Sequence, residues 1–279
     1  LTRLGEQRPL YFGIMDLTSG YHQMPMDQDS KQYTAFITSM GLYEFVRVPF
    51  GLKGAPSYFQ HMMTGSVLAG LLPHICEVYI DDVLTFAQDE TTLVANLKTI
   101  WARFRKYGIV INPEKTRLGL KEVEYIGHKI NSEGINFSRD KINKVLDVKL
   151  PTTQKQLKSF LGIANYFRDH IQRYSEIVHP LHQLLLGRYR QHVRLRWNDE
   201  AMKAFDAIKE AINACPTLYF MDNISPIYLH TDASDYGIGG YLYQRTMTGD
   251  QPLAFMSKAL TVQQQRGWST PEKEAFALY

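Results

Sequence analysis

The sequence predicts an α+β protein with more than one domain, and three observations carry that expectation. Short apolar runs that end in acids or in Gly and Pro read as strands. Thr91–Tyr107 and Asp199–Ala214 instead space their apolar residues as helices do. The charge then shifts along the chain: Arg139–Arg196 holds 12 Lys+Arg against four Asp+Glu, a local +8 inside a chain of net charge +3.

Element by element, Leu10–Leu17 (LYFGIMDL) is a buried-strand pattern that delivers Asp16 at its tip. Gln32–Val48 alternates apolar and polar positions around Gly41, which predicts a hairpin. Pro49–Gly54 is a Pro/Gly loop, and Ala55–Gly70 reads as a helix with Pro56 in its first turn. Glu77–Ala87 gives two strand-like arms, Val78–Ile80 and Val83–Ala87, meeting at Asp81–Asp82. Thr91–Tyr107 carries Leu93, Leu97, Ile100 and Phe104 on one face and is closed by Gly108. Val123–Ile130 reads as one more short strand before a turn at Asn131–Gly134. The basic segment is helical by the spacing of Leu157, Phe160, Leu161, Ala164 and Phe167. Ile227–Asp232 and Gly239–Gln244 then read as strands of a new domain.

The 279 residues are 44% apolar and 21% charged, a globular composition that excludes disordered, collagenous and coiled-coil chains. Cys76 and Cys215 lie far apart and outside any C-x-x-C spacing, so no disulfide framework or structural zinc is expected, and a reducing compartment fits. The most apolar stretch, Val67–Cys76, is too short for a bilayer and is broken by Pro73 and His74. No secretory signal is visible, so the sequons at Asn136 and Asn223 carry little weight, and no membrane partner is expected. The start at Leu1 and the end at Tyr279, inside an apparent helix, give the look of a piece of something longer.

Asp81–Asp82 is the most informative pair. Adjacent acids at the tip of a strand-turn-strand repel one another and have no folding motive. Hard divalent cations do favour them, since Mg²⁺ takes carboxylates at about 2.0–2.1 Å and keeps water and phosphate oxygens as further ligands. With Asp16 presented the same way, three acids could hold two metals about 4 Å apart for in-line phosphoryl transfer. An acidic surface turn is the bland alternative, and the apolar arms on both sides weigh against it.

These residues also carry a resemblance. Tyr79-Ile80-Asp81-Asp82 resembles the Y-x-D-D signature of reverse transcriptases, and Asp16-Leu17-Thr18-Ser19-Gly20-Tyr21-His22-Gln23 resembles the aspartate motif that precedes it. Pro49–Gln60 (PFGLKGAPSYFQ) resembles the loop and helix between them. The spelling is closest to gypsy-type LTR retrotransposons, and the order and spacing match along essentially the whole chain.

The resemblance implies a right-hand polymerase palm with partial fingers over residues 1–138, a basic helical thumb over 139–196, a linker over 197–223 and a truncated ribonuclease H-like α/β domain over 224–279. It implies an RNA-directed DNA polymerase in which Asp16, Asp81 and Asp82 hold two Mg²⁺, with Mn²⁺ as a substitute. Tyr21 matches an aromatic gate beneath the sugar of an incoming dNTP, and Phe50 stands where infectious retroviruses usually have a glutamine. Pro113-Glu114-Lys115 resembles a loop whose lysine approaches the triphosphate; a solvated lysine is the plainer reading of Lys115. Ile126, Gly127 and His128 match the primer grip. Thr152–Ile171 resembles the thumb helix, with Lys158, Gly162 and Tyr166 at i, i+4 and i+8 as its template–primer track. Gly162 costs about 1 kcal/mol in a helix interior and asks for a packing or contact reason. His179 and His182, with Pro180 between them, read as ordinary histidines rather than metal ligands.

Thr231-Asp232-Ala233-Ser234 resembles the first ribonuclease H motif, and Glu274 matches its second carboxylate. Only two of the four acids such a site uses are present, so this piece is expected not to cut RNA. The implied partners are an RNA or DNA template with a DNA primer, dNTPs, RNA–DNA hybrid, and the protease and integrase of a Pol polyprotein. The implied location is a cytoplasmic virus-like particle. Two alternatives remain: a non-catalytic nucleic-acid-binding remnant of a decayed element, and a palm-type RNA-dependent RNA polymerase. The three intact carboxylates weigh against the first, Tyr21 and Asp232 against the second.

Overall fold

A computed structural model of the chain describes residues 2–187 and 194–279. Residues 188–193, with two of the arginines of the basic segment, lie outside the described residues. The chain divides into two compact units, one ending at Ser132 and the other running from Glu133 to Tyr279.

The first unit is built on an antiparallel sheet of order β4-β5-β1-β6, formed by β1 (Tyr11–Leu17), β4 (Cys76–Tyr79), β5 (Asp82–Ala87) and β6 (Ile111–Leu120). Between β1 and β4 come a short α1 (Gly20–Gln23), the hairpin β2 (Phe36–Thr38) and β3 (Gly41–Tyr43), and α2 (Ala55–Met62). After β5 comes α3 (Glu90–Tyr107), and after β6 the hairpin β7 (Glu122–Tyr125) and β8 (His128–Asn131). Alternation along the strands sends Met15, Leu17, Val78 and Val83 to one face, where they pack with Phe59 and Met63 and with Leu93, Leu97, Ile100 and Phe104 of α3. α3 starts where Asp89 accepts a hydrogen bond from the Thr92 amide (2.9 Å) and stops at Gly108, whose φ of +69° few other residues adopt.

Four local expectations change. The helix expected over Ala55–Gly70 holds α-geometry only to Met62, and Met63–Val67 is a π-turn closed by the Leu68 amide on the Met63 carbonyl (2.8 Å). The single strand expected over Val123–Ile130 is a hairpin, reversed at Ile126 and Gly127 with φ of +49° and +78°. Pro113-Glu114-Lys115 falls inside β6 as a bulge rather than a free loop: pairing with β1 passes from Arg117 opposite Ile14 to Asn112 opposite Asp16, and residues left out of the ladder can include one with no amide hydrogen. The Gln32–Val48 hairpin forms, yet both of its strands are solvent-exposed on both faces, so its alternation does not mark a buried side.

The second unit is α-rich and then β. β9 (Gly134–Phe137) is followed by α4 (Arg139–Leu146), α5 (Gln154–Ala164), α6 (Tyr174–Gln183) and α7 (Asp199–Asn213). β10 (Leu218–Tyr219) returns to pair with β9. Leu157, Phe160, Leu161 and Ala164 of α5 pack on Phe205, Ile208 and Ile212 of α7, the faces their spacing predicts. The helix expected over Thr152–Ile171 begins with a Thr153–Gln156 capping box, is α-helical to Ala164 and tightens to 3₁₀ over Asn165–His170. An antiparallel sheet follows, β11 (Ile227–Ala233), β12 (Gly237–Thr246) and β13 (Gly249–Ala259), then α8 (Val262–Gly267) and α9 (Thr270–Leu278).

Candidate active site

Pairing of β1 with β5 sets Asp16 directly opposite Asp82. Directly paired residues share a face, so both carboxylates project away from the α2/α3 core. The reversal between β4 and β5 is at Ile80–Asp81, not at Asp81–Asp82: Tyr79 pairs with Asp82, which belongs to the strand. The Asp81 carbonyl accepts the Leu17 amide (3.2 Å), which fastens the turn to the end of β1.

Electrostatically the three acids are in conflict. Burial, and then the charges of Asp16 and Asp82, push the Asp81 carboxyl above the ordinary carboxylate range, against the pull of Lys115. Burial and Asp16 push Asp82 the same way. Lys115, exposed on β6, answers part of this with its Nζ 3.4 Å from an Asp16 oxygen. Asp81 Oδ1 is buried and has no hydrogen-bond partner. Among the described residues no three His, Cys, Asp or Glu side chains form a ready-made cation cage. An orphaned carboxylate oxygen beside two repelling acids nonetheless fits a hard divalent cation, the group whose charge removes the conflict.

Three residues not singled out from the sequence shape this site. Gln60 of α2 donates to the Val78 carbonyl (3.0 Å) and accepts from the Ile80 amide (2.7 Å). Gln23 joins the segment after β1 to the approach to β6, accepting from the Val110 amide (2.8 Å) and donating to its carbonyl (2.9 Å). Gly20 leaves the space that Asp81 Oδ1 enters, since a Cβ there would stand 2.0 Å from that oxygen. All three lie within the quoted motifs, but a pattern of letters does not say which backbone group an amide reaches.

Tyr21 is held edge-on between Phe50 (centroids 5.3 Å apart) and Phe59 (5.5 Å), and Phe50 also meets His22 at 4.9 Å. Burial and then the Asp81 charge push the Tyr21 phenol upward, which keeps it neutral. Asp16, Tyr21, Phe50, Asp81, Asp82 and Lys115 are therefore linked through shared contacts or charges. Ile126 and Gly127 form the β7–β8 turn and His128 opens β8.

In the second unit, Lys158 and Gly162 lie exposed on α5 and Tyr166 exposed on the 3₁₀ turn after it. Tyr166 packs against Phe137, with Lys141 over its ring. A side-chain carbon added at Gly162 would meet nothing within 4 Å, so no internal packing requires that glycine. His179 hydrogen-bonds with Gln183 and packs its ring, tilted, against Tyr236. Asp232 of β11 pairs with Arg173 (3.4 Å). The next residue, Ala233, turns to the opposite face, where Ile238 and Ala277 of α9 pack; Glu274 lies half-buried on α9.

Residues 4–130 match the family described as reverse transcriptase (RNA-dependent DNA polymerase), and residues 197–279 match the RNase H-like domain found in reverse transcriptase. The retrovirus-related Pol polyprotein from transposon opus of Drosophila melanogaster is 35% identical, over 100% of this chain and 28% of that polyprotein. That from transposon gypsy of the same organism is 30% identical, over 100% of this chain and 27% of its own length. A foamy viral protease-reverse transcriptase, solved in complex with RNA/DNA hybrid, superposes with a TM-score of 0.79 at 25% identity, over 99% of this chain and 37% of that one. The chain thus spans about a quarter of the length of these Pol polyproteins.

Proposed function

We propose an activity for a chain that belongs to the reverse transcriptase family over residues 4–130 and to the RNase H-like domains of reverse transcriptases over residues 197–279: template-directed synthesis of DNA on RNA. The observation that carries this reading is the buried, unpartnered Asp81 oxygen beside the opposed pair Asp16 and Asp82. These three carboxylates would hold two Mg²⁺ ions, in a family generally dependent on divalent metals. When bound, the ions supply activation of the primer 3′-hydroxyl and neutralisation of the triphosphate.

The chain's own residues do the rest. The paired strands β1 and β5 hold Asp16 and Asp82 in fixed register, so alignment of the reacting groups is built into the sheet. Lys115, at the edge of the carboxylates, offers a mobile cation to phosphate oxygens. Tyr21, braced by Phe50 and Phe59, presents a rigid wall to the sugar of a dNTP. The Ile126-Gly127-His128 turn serves the primer end. Exposed Lys158 and Tyr166, with the bare backbone at Gly162, suit a duplex read by shape. Asp232 and Glu274 are assigned to the RNA-strand cleavage of the parent polyprotein, whose protease and integrase are its further partners.

The test is extension of a labelled DNA primer on an RNA template with Mg²⁺ and dNTPs. Asp81→Asn and Asp82→Asn should each abolish extension, and unchanged activity in either rejects the metal assignment. Duplex binding without extension by the wild-type chain favours a non-catalytic nucleic-acid-binding protein.

A further inference from the structure

We propose that Gln60 is a positioning residue for the Asp81 carboxylate, acting through the backbone of the turn that carries it. The inference rests on the polymerase reading above and assigns a role within the same site.

β4 is an edge strand, paired only with β5 in its sheet. The Val78 carbonyl and the Ile80 amide hydrogen both point to its unpaired side. Gln60 fills that edge with one carboxamide, a donor to Val78 at 3.0 Å and an acceptor from Ile80 at 2.7 Å. A primary amide carries the same donor and acceptor as a peptide group, so the side chain stands in for a neighbouring strand at one position. What it fixes is unusual. Ile80 sits at φ +53°, a conformation that a β-branched residue resists, and Asp81 follows it directly.

The hairpin itself does not depend on Gln60. Tyr79 and Asp82 already pair across the turn, and the Asp81 carbonyl is tied to Leu17. The added bonds therefore govern the conformation at Ile80, and through it the direction in which Asp81 leaves the turn. That direction matters because Asp81 Oδ1 points into the space left by Gly20. Phe59, the neighbour of Gln60 on α2, borders the same space and packs against Tyr21. Two consecutive residues of α2 thus set the sugar wall and the carboxylate turn in one frame.

The experiment is a double-mutant cycle between Gln60→Leu, which keeps bulk and loses both bonds, and Ile80→Gly, which adopts positive φ without resistance. In an otherwise wild-type chain, Gln60→Leu should lower kcat for primer extension by about tenfold or more while KM for dNTP changes less than about twofold. In the Ile80→Gly background the same substitution should cost less than about threefold. Amide hydrogen exchange at Ile80, read on the chain alone, should accelerate in Gln60→Leu while the rest of β4 and β5 stays protected. An unchanged kcat, a loss of equal size in both backgrounds, or an unchanged Ile80 exchange rate overturns the inference. Failure of the wild-type chain to extend any primer rejects the polymerase reading instead, and Ile80 exchange then decides the role of Gln60 by itself.

Discussion

Gly20→Ala is the smallest change that reaches the turn carrying Asp81. The added methyl carbon would stand 2.0 Å from Asp81 Oδ1, 3.1 Å from Asp81 Cγ and 2.9 Å from Phe59 Cζ. A carbon–oxygen contact needs about 3.3–3.6 Å, so the carboxylate must retreat by more than about 1 Å. Turning it off its rotamer costs about 0.5–1.5 kcal/mol, and moving the buried Phe59 ring brings the total into the range of about 1–3 kcal/mol seen for overpacked sites. At about 2–4 °C per kcal/mol the melting temperature falls by several degrees. The effect on synthesis is larger, because a misplacement of about 1 Å at a reacting centre costs about 10²-fold in rate. Calorimetry and primer extension measure the two losses. In an Asp81→Ala background the carboxylate is gone, and the same methyl should destabilise by less than about 1 kcal/mol. A wild-type melting temperature and rate for Gly20→Ala, or a penalty that Asp81→Ala leaves untouched, would refute the close fit between Gly20 and Asp81.

Three further outcomes are expected. The Asp82 carboxyl is pushed up in the folded chain, so the folded state holds its proton to higher pH than the unfolded state does, and metal-free stability falls as pH rises through that raised value. Asp82→Asn should then melt above wild type at pH 7 in EDTA, with the gap closing at acid pH and on adding Mn²⁺; a wild-type Tm at or above the variant's at pH 7 contradicts this. Tyr21→Ala removes the ring braced by Phe50 and Phe59 and should raise ribonucleotide incorporation relative to dNTP by about tenfold or more, measured by single-nucleotide competition. Gly162→Ala should stabilise the chain by up to about 1 kcal/mol, since nothing packs there, while weakening duplex binding in a salt titration; tighter binding would remove Gly162 from the nucleic-acid track.

The strands and acids of the first unit were readable because burial and chemistry pull on different letters. The unbroken apolar run Tyr11–Met15 marks a buried strand, and an acid at the end of such a run has no packing purpose. Register was not readable. The choice between a turn at Asp81–Asp82 and one at Ile80–Asp81 is settled by the pairing of Tyr79 with Asp82, and that choice moves Asp82 into the strand opposite Asp16. The same blindness hid the Ile126–Gly127 reversal, where one glycine in an alternating strand-like segment reads as an interruption until its neighbour is also seen at positive φ. Pro113-Glu114-Lys115, a loop by resemblance, lies within β6 where the pairing with β1 skips residues, and such a bulge accepts a proline.

Gln60 and Gly20 were illegible in a deeper sense, since neither is disfavoured where it stands. Their roles follow from what they leave to Asp81: a fixed departure from the turn, and an empty space to enter. The acids themselves oppose the fold. Burial and mutual repulsion raise Asp81 and Asp82, and Lys115 meets only part of that charge from an exposed position. A carboxylate kept for stability would weaken the chain when neutralised. Here neutralisation of Asp82 should strengthen the metal-free chain and end the proposed synthesis of DNA. Opposite signs in those two measurements separate acids held for chemistry from acids held for structure.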